Sequence, residues 1–165
     1  QPNYETNAFL NRLKGFLLLG AVPESMMERF IEFTPVDDAA KAVMTLARHF
    51  SREQTVFHIK NAKLLPLRRM AELVSGSGFH IRSVQDEAFI RLLMEAAKAP
   101  AHAGILDRFF NDIGSDHRLA YSQTHVETDF TENCLKKIGF EWKEIDSDYL
   151  KKYIAYFKKI GYLEG

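Results

Sequence analysis

Apolar residues recur at Phe9, Leu10, Leu13, Phe16 and Leu17, a three-and-four spacing that predicts an N-terminal helix. Asn3 or Thr6 is placed to cap its start, and Gly20 and Pro23 are placed to end it. A short helix over 24–29 follows. The run from Phe30 to Val36 then reads as a strand, which must end or lie unpaired at Pro35 because that residue has no N–H. Asp37 and Asp38 are expected to cap a helix that buries Ala39, Ala40, Val43, Leu46 and Ala47. Val56-Phe57-His58-Ile59 reads as a second strand, and 61–64 as a turn. Pro66 suits the first turn of a helix carrying Leu67, Met70, Leu73 and Val74.

Gly76 and Gly78 end that helix, and 79–84 reads as a third strand. Helices are expected over 86–99 and 102–112, separated by Pro100, followed by a polar loop over 114–127. Thr128 or Asp129 begins a short helix that stops at Gly139, and 140–142 is extended. Ser147 then caps a last helix that runs to Gly161. Its Tyr149, Leu150, Tyr153, Ile154, Phe157 and Ile160 fall on one side, and Lys151, Lys152, Lys158 and Lys159 on the other. The pattern is α/β and helix-rich, with too few short strands to build an independent doubly wound sheet.

Composition narrows what such a chain can do. It has 165 residues, about one domain, and its 46% hydrophobic and 27% charged residues are those of an ordinary globular protein. Twenty-two basic residues balance twenty-two acidic ones. That argues against a dominant nucleic-acid or membrane-surface role, since both need a basic excess. The longest strongly apolar run, Gly15 to Val22, is far shorter than the ~18 residues of a membrane span, and nothing frames it as a signal peptide. The single cysteine, Cys134, cannot form an intramolecular disulfide, which suits a reducing, cytoplasmic compartment. On its helix beside Leu135 it is expected as a small buried apolar group. The chain opens at Gln1-Pro2-Asn3 rather than Met, as a piece of a longer protein would.

Catalytic signatures do not emerge. Gly76-Ser77-Gly78 lacks the third glycine of a dinucleotide loop and leads into a strand rather than a helix. No tyrosine is followed four residues later by lysine, and no Gly-x-Ser-x-Gly elbow occurs. The six histidines are never spaced three to five apart, so no zinc motif is present and no metal is expected. Asp116, His117 and His125 fall together in the polar loop, where solvated side chains are the simpler reading. No residue of the chain is expected to be catalytic.

Three stretches carry a resemblance. They are 7–13 (Asn-Ala-Phe-Leu-Asn-Arg-Leu) with Leu19-Gly20-Ala21-Val22-Pro23, then Glu32-Phe33-Thr34-Pro35-Val36-Asp37, then Val56-Phe57-His58-Ile59-Lys60-Asn61. With the closing pattern of Leu135 to Trp142, Ile145-Asp146 and 149–163, they resemble extended short-chain reductases. Specifically, they are similar to the thioester reductase domains that terminate nonribosomal peptide synthetases. The resemblance spans nearly the whole chain and is poor over 86–126.

The resemblance implies an intact enzyme that uses NADPH to release a carrier-bound peptidyl or acyl thioester as an aldehyde or alcohol. The Gly-rich loop and Tyr-x-x-x-Lys pair of that enzyme would lie upstream of Gln1. The fragment would then be inactive alone and bind no NADPH. Residues 1–62 would pack on the missing Rossmann half, and 63–165 would form a helical subdomain. The implied partners are that half, a peptidyl carrier domain with its phosphopantetheine arm, and the thioester itself. Two other readings stand beside it: another extended short-chain enzyme, epimerase- or dehydratase-like, and a standalone helical binding module gripping a partner with the aromatic face of its last helix.

Against that background, Asn3, Asn7 and Asn11, four residues apart, and Arg12 are candidates to contact the substrate. Amides donate and accept, which suits pantetheine amides or a thioester carbonyl. Thr34 and Pro35 are candidates for an acyl–pantetheine channel, with Asp37 beside them, although Asp37 is expected first as a helix cap. Lys151, Lys152, Lys158 and Lys159 could steer an acidic carrier, unless they simply form a solvated face.

Overall fold

The structure is a computed structural model, and it describes residues 7–50, 56–115, 119 and 126–163. In chain order the elements begin with α1 (Ala8–Leu19), β1 (Ala21–Pro23), α2 (Glu24–Met27), β2 (Phe30–Ile31), α3 (Val36–His49) and β3 (Leu65–Pro66). They continue with α4 (Leu67–Ser75), β4 (Arg82–Val84), α5 (Asp86–Ala96), α6 (Pro100–Phe110), α7 (Asp129–Lys137) and α8 (Ser147–Lys159). The fold is helix-rich, and its strands form two small sheets, β1 with β4 and β2 with β3. Two compact units interleave along the chain. One comprises 1–29, 66–122 and 147–165, the other 30–65 and 123–146. Residues 63–165 therefore contribute to both.

In the first unit, α1, α5 and α6 meet through Phe16, Phe89 and Phe109. Their ring centroids lie 5.2–6.0 Å apart in tilted or edge-on pairs, the arrangement that aromatic quadrupoles favour. Gly15 is what lets α1 come so close. A methyl group there would lie 2.2 Å from a Phe109 ring carbon. Leu10, Leu13, Leu93 and Leu106 of the same three helices are also buried. On the other side, α4 packs on α8, with Met70 and Val74 buried on the former and Leu150, Ile154 and Phe157 on the latter.

Gly20, at φ 60°, caps α1 in the left-handed conformation that glycine adopts without strain. The chain turns there directly into β1. That strand runs parallel to β4, with Ala21 opposite Arg82 and Pro23 opposite Val84.

The second unit is built on α3 and α7. Ala42, Leu46, Cys134, Leu135 and Trp142 form its core, with Phe50, Phe57, Ile59, Ile138 and Phe140 packed against them. Cys134 is buried, as its surroundings in the sequence suggested. The Trp142 indole N–H donates to Glu132 Oε1 at 2.7 Å, which satisfies a buried donor and a buried carboxylate together.

Several expectations are corrected. The cap of α1 is Asn7, whose Oδ1 accepts from the Leu10 N–H at 3.0 Å; helix and cap begin later than Asn3 or Thr6 would allow. Asp37 and Asp38 do not cap α3. The helix already starts at Val36, so both lie inside its first turn with helical backbone, and Pro35 holds the capping position without a side-chain bond. Their negative charge still suits that end of the helix dipole.

The buried face of α3 is Asp38, Ala42 and Leu46, whereas Val43 and Met44 are exposed. The strand expected from Phe30 to Val36 is only two residues long. Val56–Ile59 and 140–142 are extended in composition but form no ladder among the described residues. A strand is defined by its neighbour's hydrogen bonds, and propensity alone does not supply a neighbour. The pairing of β1 with β4 was not read from the sequence.

Candidate functional site

Asn7, Asn11, Lys14 and Leu18 follow one another at intervals of four, three and four, and so share one face of α1. Asn7 is exposed at the helix start, with its Oδ1 committed to the cap. Asn11 Oδ1 accepts from the Tyr162 hydroxyl at 3.0 Å. Lys14 extends over the Tyr162 ring, its ammonium 4.8 Å from the centroid. Past Tyr162 this face opens into a cavity of about 190 Å³ lined by Lys14, Leu17, Leu18, Ile105 and Leu163. Asn3 lies outside the described residues.

Arg12 leaves that face. Its guanidinium donates to Asp112 Oδ2 at 2.5 Å and lies 6.0 Å from the Phe109 ring centroid. Burial raises the Asp112 carboxyl above its ordinary value, and the charge and hydrogen bond of Arg12 offset only part of that. Arg12 is therefore held by the fold.

In the second unit, Thr34 Oγ1 accepts from the Asn61 N–H at 3.0 Å and donates to Glu32 Oε1 at 3.3 Å. Pro35 is buried and Asp37 exposed. Asn61 organises the segment. It is fully buried, and its Nδ2 donates to the carbonyls of Phe33 and Lys143, both at 3.2 Å, while its Oδ1 accepts from the Lys63 N–H at 2.9 Å. The sequence placed Asn61 at the start of a turn and at the end of a stretch that carries the resemblance. Its long-range carbonyl partners could not be read there.

On α8, Lys151, Lys152, Lys158 and Lys159 are all exposed, as expected. They are not equivalent. Lys158 donates to the Ser77 carbonyl at 3.0 Å and covers the Phe79 ring at 4.5 Å, so it latches α8 to the turn after α4. Lys151 lies 3.7 Å from Asp148. Lys152 and Lys159 extend from the helix surface. The apolar side of α8 buries Leu150, Ile154 and Phe157 in the first unit, whereas a helix gripping a separate partner would leave that face open.

No three potential metal ligands cluster among the described residues, and none of their helices is long and apolar enough to cross a membrane. Asp116, His117 and His125 lie outside the described residues. The Gly76 to Gly78 turn stops α4, with Gly78 at φ 92°, and offers no phosphate cradle followed by a helix.

No family model matches the chain. It is 26% identical over 153 residues to a linear gramicidin synthase of Brevibacillus parabrevis, covering 90% of the chain and 3% of that protein. Among solved structures, a thiolation-reductase di-domain from an archaeal nonribosomal peptide synthetase superposes with a TM-score of 0.80 and 30% identity, over 99% of the chain. The chain matches the C-terminal part of nonribosomal peptide synthetase reductase domains. It spans 33% of that di-domain's length. The terminal reductase domain of the myxalamid pathway, at 19% identity and a TM-score of 0.74, shares the fold over 96% of the chain.

Proposed function

We propose that the chain is the substrate- and carrier-facing part of an NADPH-dependent thioester reductase that releases a carrier-bound peptidyl or acyl chain as an aldehyde or alcohol. The observation that carries this reading is the likeness to the thiolation-reductase di-domain over 99% of the chain. The cofactor would be held by an upstream Rossmann half, since the chain spans only 33% of the di-domain's length. Surface chemistry supports such a neighbour. Val36, Val43 and Met44 of α3 are 78%, 50% and 53% exposed, and the strand-like Val56–Ile59 forms no ladder in the described chain. An exposed apolar helix face is what a further element of the protein would cover.

On this reading, Asn7, Asn11 and Arg12 on α1 are candidates to contact the acyl–pantetheine group, and Thr34, Pro35 and Asp37 of the second unit are a separate set of candidates. Arg12, paired with Asp112, acts by holding α1 in place. Lys151, Lys152, Lys158 and Lys159 provide positive charge for an acidic carrier.

The test uses the polypeptide extended upstream to include its cofactor half. Supplied with a pantetheine thioester and NADPH, it should oxidise the cofactor and yield an aldehyde, while the 165-residue chain should do neither. Turnover by the short chain, or none by the extended one with any acyl thioester, would overturn the assignment.

A further inference from the structure

The cavity at the end of the α1 polar face has a chemistry of its own. Four of its five lining residues, Leu17, Leu18, Ile105 and Leu163, are aliphatic, and Lys14 is the charged one. The lining comes from α1, from α6 and from the chain after α8, so it is fixed by the packing of α1 on α6. Its volume of about 190 Å³ is a little above that of an engineered apolar cavity known to hold benzene, about 150 Å³. That is room for one ring or a short branched chain.

Lys14 is only partly buried, and Tyr162 supports its ammonium from below. The site therefore combines an apolar wall and a positive end. Aliphatic walls reward burial of apolar surface, and a fixed ammonium favours negative charge and penalises positive charge beside it. Asn11 accepts a hydrogen bond from the same tyrosine, and Lys14 and Leu18, which share its face of α1, line this cavity.

We infer that the cavity is a specificity subsite. It takes an apolar side chain of the acyl group, up to one aromatic ring in size, that ends in a carboxylate or similar anionic group against Lys14. This rests on the reductase reading for the identity of the ligand as acyl group, but not for the binding chemistry.

The experiment therefore measures binding by the 165-residue chain without cofactor or turnover, with phenylacetate as probe. Methyl resonances of Leu17, Leu18, Ile105 and Leu163 should shift saturably, and benzylamine, of the same shape and opposite charge, should not reproduce the shifts. Lys14→Glu should weaken phenylacetate binding by about fivefold or more, the size of a partly exposed charge contact. Leu18→Trp, which fills the cavity, should abolish the shifts, and Lys14→Glu covers the case in which that bulky variant fails to fold. Absence of saturable shifts, equal binding of benzylamine, or undiminished binding by Lys14→Glu would each overturn the proposal. None of these results depends on whether the extended protein reduces thioesters.

Discussion

Replacing Gly15 by alanine should destabilise the protein, although the same change in an open helix is stabilising. The new methyl carbon would lie 2.2 Å from Phe109 Cε2 and 3.0 Å from Cζ. Carbon atoms in contact sit roughly 3.5–4.0 Å apart, so ring or helix must move by more than about 1 Å. Phe109 has no exposed surface to retreat to, and it is braced by Phe16 at 5.2 Å and Phe89 at 5.6 Å. Overpacking of a tight core costs about 1–3 kcal/mol, and the better helix propensity of alanine returns up to about 1 kcal/mol. Because the clash is with a trapped ring, the upper part of that range applies, leaving a net loss of roughly 1–2 kcal/mol.

Gly104 is the control. It sits in α6, and a methyl group there would meet nothing within 4 Å. Gly104→Ala should therefore stabilise by about 0.5–1 kcal/mol. Urea titration followed by circular dichroism separates the two. Gly15→Ala combined with Phe109→Leu should lose less than the sum of the single changes, since the leucine gives the methyl group room. Gly15→Ala as stable as the parent, or additivity in the double variant, would refute the packing argument.

Other outcomes follow from single contacts. Asn61→Ala removes three hydrogen bonds from a fully buried position, so denaturation should show a loss of roughly 2–4 kcal/mol; Asn61→Asp should not rescue it, because a carboxylate cannot donate to the two carbonyls. Asp112 titrates above its ordinary value in the fold, so its contribution is fully present below about pH 4 and lost as pH rises through the raised value. The stability of Asp112→Asn relative to the parent should then improve as pH rises across that window, and a change in the opposite direction would refute the claim that burial outweighs Arg12. If α8 steers an acidic carrier, Lys152→Glu with Lys159→Glu in the extended protein should slow carrier association and reduce its salt dependence, while turnover on a free pantetheine thioester stays unchanged. Lys158→Glu, by contrast, should also lower stability, because it breaks the latch to Ser77 and Phe79.

Helices were legible because their ends carry local punctuation. Gly20, Pro100, Gly139 and Gly161 each mark an end or a start in the structure where the sequence implied one. Strands were not. The partner of β1 is β4, some sixty residues away, and no local pattern encodes that register. On α3 two apolar stripes compete, one through Ala42 and Leu46 and one through Val36, Val43 and Met44, and periodicity cannot say which meets the core. The candidate site was legible only in part. The spacing of Asn7 and Asn11 was visible, but Lys14 gains its meaning from Tyr162 and Leu163 at the far end of the chain. The burial of Asn61 and its bonds to two distant carbonyls cannot be read from its place at the start of a turn.

The protein's chromophores are sorted by location. Its one tryptophan, Trp142, is buried in the second unit with its indole tied to Glu132, whereas the described tyrosines, Tyr149, Tyr153, Tyr156 and Tyr162, all belong to the first. Red-edge excitation therefore lights up one unit and leaves the other dark. Emission from Trp142 follows the opening of the α3–α7 core as water reaches the indole, while the near-ultraviolet dichroism of the tyrosine cluster follows α8. The order in which the two units come apart can be read from the unlabelled protein, in a single denaturant series, as the offset between two optical curves.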